Sequence, residues 1–376
     1  MAAPLTLLLG GDVMTGRGID QVLAHPGDPA LHEEFVKDAR DYVRLAEQVH
    51  GAIPRGVAAD YVWGDALDEL RHADLRIVNL ETAVTRSDTP WPGKGIHYRM
   101  HPDNVECLAA ARFDACVLAN NHVLDWRREG LAETLATLRA AGLRTAGAGT
   151  GEAQAWAPLV LAAGQGRRLL LLACATESSG VPADWAAEAG RSGLALLPDL
   201  SEATALRLAD HLTRQRRSGD LAMLSIHWGG NWGLDVPDAH RRFAHWLIET
   251  GTVDLVHGHS SHHPLPLEVH RGRLIVYGCG DLLNDYEGIA PHGPLRSDVG
   301  CLFRVGLAGD GAVQSVQIVP MRLRRFRLER ADAASRDWVA DVFDGGQARF
   351  GTSVERATEG PLRLRWPMGG SRITGA

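Results

Sequence analysis

Apolar residues along this chain gather in short runs, and most of the runs end in glycine or a polar group. They are LTLLLGGD (5–12), LRIVNLE (75–81), ACVLANNH (115–122), RLLLLACATES (168–178), LAMLSIHWGG (221–230), VDLVHGH (253–259) and RLIVYGCGD (273–281). Runs of this length, bounded by turn residues, read as buried strands. Between them the spacing becomes helical. Leu131, Leu135 and Leu138 recur ahead of Gly142; the segment 201–217 opens on Ser201 in a capping position; 238–250 stops at Gly251. Strands alternating with helices predict an α/β fold with mixed sheets layered with helices and largely parallel central strands. Segments near 266–280 and 300–320 lie closer together and predict hairpins. Two regions break the rhythm. Residues 20–62 form an excursion, expected to be helical across Leu31–Val49, and 326–376 form a polar helix and tail packed on a catalytic domain of residues 1–325.

Composition narrows the class. The chain has 376 residues, 45% hydrophobic and 23% charged, which suits a globular enzyme. A formal charge of -7 argues against a nucleic-acid partner. Lys37 and Lys94 are the only lysines, and the basic run from Met321 to Arg330 is closely followed by acidic residues, which reads as a solvated face. The cysteines (Cys107, Cys116, Cys174, Cys279 and Cys301) are scattered, odd in number and without a CxxC pair. That argues against a disulfide framework and fits a reducing cytoplasm. The start reads as a first strand rather than a signal peptide, and no apolar run approaches the roughly 20 residues that span a bilayer, so no membrane anchor is expected.

Chemistry concentrates where the runs end. In open α/β sheets ligands bind beyond the carboxyl ends of strands. Those ends carry Asp12, Asn79 and Glu81, Asn120, Asn121 and His122, His227, then His257 and His259. The segment VHGHSSHHPLP adds His262 and His263, so four of the 17 histidines fall within seven positions. Imidazole mixed with carboxylate and amide oxygen suits a divalent cation. Taken singly, Asp12 reads as a helix cap, His227 beside Trp228 as a core histidine, and His263 before Pro264 as a supporting group. Five strand ends acting in chain order favour a metal centre with two ions, of Mn, Fe, Zn, Ca or Mg. Which of His257, His259 and His262 ligate stays open.

The motifs GDVM (11–14), NLE (79–81), ANNHVLD (119–125), HWGGNW (227–232), HGHSSHHP (257–264) and VYGCGDLLNDYEG (276–288) together resemble the CapA family of poly-γ-glutamate synthesis proteins, which has a calcineurin-like metallophosphoesterase fold. The resemblance covers roughly residues 5 to 325. It implies that Asp12 binds one metal, Glu81 stands at the bridging carboxylate, Asn121 binds the second metal, His122 is an outer acid/base group, and His227 with the His257/His259/His262 set completes the shells. The chain departs from the superfamily in three places. Met14 occupies the position of a ligand histidine, Glu81 replaces a bridging Asp, and the last Gly-His-x-His motif has an ambiguous register.

Two loops add titratable groups. The first holds Asp88, Trp91, Lys94, His97 and Arg99; Trp91, Lys94 and Arg99 are expected to hold an anionic substrate, with Trp228 and Trp232, which flank His227, walling the pocket. The second brackets His292 with prolines and glycine. The resemblance extends to cytosolic family members that modify peptides, among them a lasso-peptide epimerase. That implies acid/base chemistry at the Cα of a metal-bound peptide carboxylate, with His122, His292 and Asp88 as candidate catalytic groups and no organic cofactor. The alternatives are a metal-dependent hydrolase of a phosphoester or γ-glutamyl amide, and a poly-γ-glutamate synthesis or binding protein. The oligomeric state is not legible.

Overall fold

The strand alternation predicted from the runs is realised as two facing sheets. The computed structural model describes residues 4–164, 166–290, 292–356 and 360–367. In chain order the main strands are β1 (Leu5–Val13), β2 (Leu75–Leu80), β3 (Ala115–Val117), β4 (Arg168–Thr176), β5 (Leu221–His227), β6 (Leu255–His259), β7 (Arg273–Val276), β8 (Asp281–Leu283), β9 (Val299–Leu307) and β10 (Val313–Arg324). The main helices are α1 (Arg40–His50), α2 (Arg127–Ala140), α3 (Glu202–Thr213), α4 (Asp238–Glu249) and α5 (Ala333–Asp344).

The first sheet orders its core β10-β9-β1-β2-β3, with β1, β2 and β3 parallel and β9 and β10 antiparallel. The second orders its core β4-β5-β6-β7, all parallel, and the strand Leu267–His270 closes a hairpin on β7. Both expected hairpins are therefore present. Alternating side chains divide the second sheet between two cores. Leu169, Leu171, Met223, Leu255 and Leu274 pack inward with Leu7, Leu9 and Ile77 of the first sheet, while Leu172, Leu224, Val256 and Ile275 pack outward under α3 and α4. Helices α1, α2 and α5 join the first sheet's core. Each fully buried Leu or Val contributes roughly 1.5–3 kcal/mol, so this layering sets the fold.

The helices depart from expectation where tertiary bonds win. The excursion is helical only from Arg40, not from Leu31. Asp38 accepts the Arg40 amide, and Glu33 is drawn off to the buried Arg17 and Tyr42. Helix α3 keeps its Ser201 cap but stops at Thr213 rather than Arg217. Arg216 is instead spent on the carbonyls of Asp220 and Gly251 and on the Asp254 carboxylate. Beyond residue 325 the expected helix is α5. It is followed by two short strands, Ser353–Glu355 and Leu362–Arg365, that extend the first sheet; the end of the expected tail, 368–376, lies outside the described residues. All five cysteines are buried and unpaired. Among the described residues no helix is long and apolar enough to cross a membrane.

One local feature positions the site. The pairing of β1 with β2 shifts register between Leu9 and Asp12, so Gly10 and Gly11 form a bulge. The strand β8 then lies parallel beside the end of β1, with Asp12 opposite Asp281. A side chain at Gly11 would meet the Gly280 carbonyl oxygen at 1.7 Å. Gly11→Ala is therefore expected to cost about 3 kcal/mol, read as a lowered urea midpoint at unchanged slope.

Candidate metal centre

The alternation that buries Met223 and Leu255 between the sheets continues to the strand ends, where it delivers polar groups to the same face. Ser225 and His227 close β5; His257 and His259 lie beside them on β6 in the register Ser225–His257 and His227–His259. From the first sheet come Asp12, Asn79 and Glu81, and the turn after β3 supplies Asn120, Asn121 and His122. Asp12, Glu81, His227, His257 and His259 are each at most 1% exposed.

The groups meet. One amide nitrogen, Nδ2 of Asn79, donates to Asp12 Oδ1 at 2.7 Å and to Glu81 Oε2 at 3.2 Å. Asp12, His227 and His259 bring donor atoms within 4.8 Å of one another, and so do Asp12, His262 and Asp281. Asn121 Oδ1 lies 3.2 Å from His227 Nε2, and Glu81 Oε1 lies 4.0 Å from the same nitrogen. His262 Nδ1 sits 2.8 Å from Asp281 Oδ1. Two donor triads thus share Asp12.

Electrostatics shows what this arrangement suits. Burial, then Asp281, pushes the Asp12 carboxyl up to about 7. Burial, then Asp12, holds Glu81 well above the usual carboxylate range. Burial keeps His227 and His259 neutral, which leaves lone pairs available. On His262, burial works downward but Asp281 and Asp12 outweigh it. Crowded buried carboxyls beside neutral imidazoles are costly without a cation and suited to one. The oxygen and nitrogen donors fit a divalent cation, with Glu81 and Asn121 close to His227.

Beside this cluster, His122 Nδ1 lies 2.6 Å from Asp125 Oδ2, and Nε2 lies 3.8 Å from Glu81 Oε1. Burial, aided by Lys94 and opposed by Asp125, lowers His122 to about 4. Over the cluster opens a cavity of about 260 Å³, walled by Tyr98, Tyr286, Trp232 and His292 and floored by His122 and His262.

Several expected site residues are directed elsewhere. His257 does not reach the donor triads, because its nitrogens are engaged by Ser225 Oγ and the Gly10 carbonyl. Lys94 is held by Asp125 at 2.5 Å and His122 at 3.0 Å, so its charge is committed inside the protein. Arg99 donates to the Ser87 and Asp28 carbonyls and stacks on Trp126. Trp91 packs edge-on against Trp185. Trp228 is buried on His240 and donates to the Tyr277 carbonyl; Trp232, stacked 3.9 Å from His292, is the cavity wall instead. Asp88 is exposed and touches Thr89. His263 is buried, with Nδ1 against the Pro264 carbonyl. The residues that sequence reasoning missed are Asp281, Asp125 and Ser225. Asp281 ends an apolar run in a Gly-Asp pair, as Asp12 does, and that repeated ending was its signal.

Fold and site together define a layered α/β protein with a candidate divalent-metal centre at its strand ends. The chain belongs to the bacterial capsule synthesis protein PGA_cap family, whose model matches residues 6–286. It is 44% identical over 354 residues to a probable polyglutamine synthesis accessory protein of Mycobacterium tuberculosis, covering 93% of each chain. It is 25% identical to the PGA biosynthesis protein CapA of Bacillus subtilis over 282 residues, covering 73% of this chain and 62% of that one. A solved structure described as a novel phosphatase from Mycoplasma pneumoniae aligns with a TM-score of 0.44 at 12% identity, covering 90% of this chain and 98% of that one.

Asp12→Asn and Asp281→Asn are each expected to weaken Mn²⁺ or Zn²⁺ binding more than about 100-fold in equilibrium dialysis with elemental analysis, since each removes a proposed ligand. Asp88→Asn and Arg99→Gln should leave it unchanged.

Proposed function

We propose that this chain is a metal-dependent hydrolase that cleaves an amide within a glutamyl chain or peptide. The observation that carries the reading is the His122–Asp125 pair, whose free nitrogen faces the donor cluster. A divalent ion held by Asp12, His227 and His259, with Asn121 and Glu81 beside His227, and a second held by Asp12, His262 and Asp281, would polarise a substrate oxygen and lower the pKa of a water to about 7.

The chain's own residues supply the rest. Asp125 accepts the Nδ1 proton of neutral His122, which leaves Nε2 as a base. His122 takes a proton from the attacking water and returns it to the leaving nitrogen, as the oxygen joins the carbonyl carbon and the C–N bond breaks. Lys94 neutralises Asp125 and holds it in place. Relatives named for polyglutamine and PGA synthesis support a carboxylate-bearing substrate.

A second reading, peptide epimerisation, is favoured by a single feature: His122 and His292 line the same cavity. Removal of a Cα proton by one and its return by the other would invert the centre without cleavage. Asp88 is exposed and does not line that cavity.

Incubation of metal-loaded protein with γ-glutamyl peptides in heavy water separates the readings. New amine termini mean hydrolysis; deuterium at Cα in an intact peptide means epimerisation; release of aryl alcohol from an aryl phosphate alone means phosphoester chemistry. We expect new amine termini that vanish with chelator. His122→Asn should lower kcat by about 10²–10⁴ while metal content holds.

A further inference from the structure

His257 raises a problem that the donor triads do not solve: it is fully buried within a histidine-dense segment, yet it points away from them. A continuous hydrogen-bond chain gives it a role. His257 Nε2 lies 3.0 Å from the Gly10 carbonyl oxygen, its Nδ1 lies 2.9 Å from Ser225 Oγ, and Ser225 Oγ lies 2.9 Å from His259 Nε2. His257 and Ser225 are 0% exposed and His259 is 1% exposed, so water does not substitute for any link.

The direction of the chain follows from its end. A carbonyl oxygen only accepts, so His257 Nε2 must carry a hydrogen. Neutral imidazole then has a bare Nδ1; His257 is fully buried with the Gly10 carbonyl and the Ser225 hydroxyl as its hydrogen-bond partners and is paired with no carboxylate that would hold it as a cation. Bare Nδ1 accepts from the Ser225 hydroxyl, whose single hydrogen is thereby used. Ser225 oxygen can then only accept from His259, so His259 Nε2 carries the hydrogen and His259 Nδ1 is bare. That Nδ1 is the nitrogen turned to the cluster, 4.0 Å from Asp12 Oδ1 and 2.8 Å from His227 Nδ1.

We propose that Ser225 and His257 are positioning residues that lock His259 in the tautomer whose lone pair faces the metal. The inference rests on the metal-centre reading and deepens it. The relay crosses from one sheet to the other and is anchored at the Gly10–Gly11 bulge, the place where Asp12 is also set. One backbone bulge therefore sets the register of a carboxylate and anchors the relay to the imidazole that shares its ion. Partners on the far nitrogen of a metal-bound histidine orient the ring and raise affinity, typically by 10–100-fold.

The test uses the isosteric pair Ser225→Val and Ser225→Thr. Zn²⁺ and Mn²⁺ affinity is measured by competition with a chelating dye, and the thermal midpoint of metal-free protein is recorded alongside. Ser225→Val should weaken binding about 10–100-fold, Ser225→Thr should stay within about threefold of wild type, and the metal-free midpoints of the two should match. Equal affinity for Val and wild type, or equal loss for Val and Thr, would overturn the proposal. A second arm needs no metal. Nitrogen-15 shifts of the histidines in metal-free wild type should show His259 protonated on Nε2; protonation on Nδ1 would refute the relay. If His259 has the expected tautomer but wild type binds no cation, the metal-centre reading fails and the relay stands as a structural feature.

Discussion

Three carboxyl groups, from Asp12, Glu81 and Asp281, are held out of water against one another. Like charges in a dry interior repel, and each carboxylate loses its hydration, so Asp12 and Glu81 are driven toward their neutral, protonated forms unless a cation shares the cluster. The nearby fixed cations do not fill that role. Lys94 is bonded to Asp125, and Arg17 to Asp285 and Glu33. The surrounding histidines are kept neutral by burial, with His262 the exception through its pairing with Asp281. The protein thus gathers carboxyl groups and imidazole lone pairs at one point, and the two sheets absorb the cost through their apolar faces.

Strand parity makes this placement economical. On β5 and β6 the residues that pack between the sheets and the residues that reach the site belong to one alternating series. Ser225 and His227 follow Met223, and His257 and His259 follow Leu255. On β1 the bulge at Gly10–Gly11 resets the register before Asp12, which brings Asp12 alongside Asn79 and Asp281. A slip of one residue on any of these strands would turn its ligand into the outer layer. Precise packing of leucines in the core and precise placement of ligands at its edge are thus one constraint.

Much of this was legible in the sequence because strand ends are marked by abrupt changes from apolar to polar residues. The runs ending at Asp12, Glu81, His122, His227 and His259 are strands or the turns that follow them, and they converge. What was not legible depends on which way a side chain turns. Arg99, Trp91 and Trp228 have the right chemistry and occupy the wrong space, since local carbonyls and aromatic neighbours take them. Ser225 carries no signal in the chain, because a serine inside an apolar strand is ordinary until its two histidine neighbours are seen. The start of α1 was misplaced because Glu33 and Asp38 serve tertiary partners and a cap, which helical periodicity does not reveal.

The most direct test of the central claim is anomalous diffraction from crystals grown with excess Mn²⁺. The account predicts manganese at the donor triads, one peak among Asp12, His227 and His259 and one among Asp12, His262 and Asp281, with His257 still bonded to the Gly10 carbonyl. An anomalous map with no peak between these side chains, in crystals whose protein is otherwise folded as described, would contradict it.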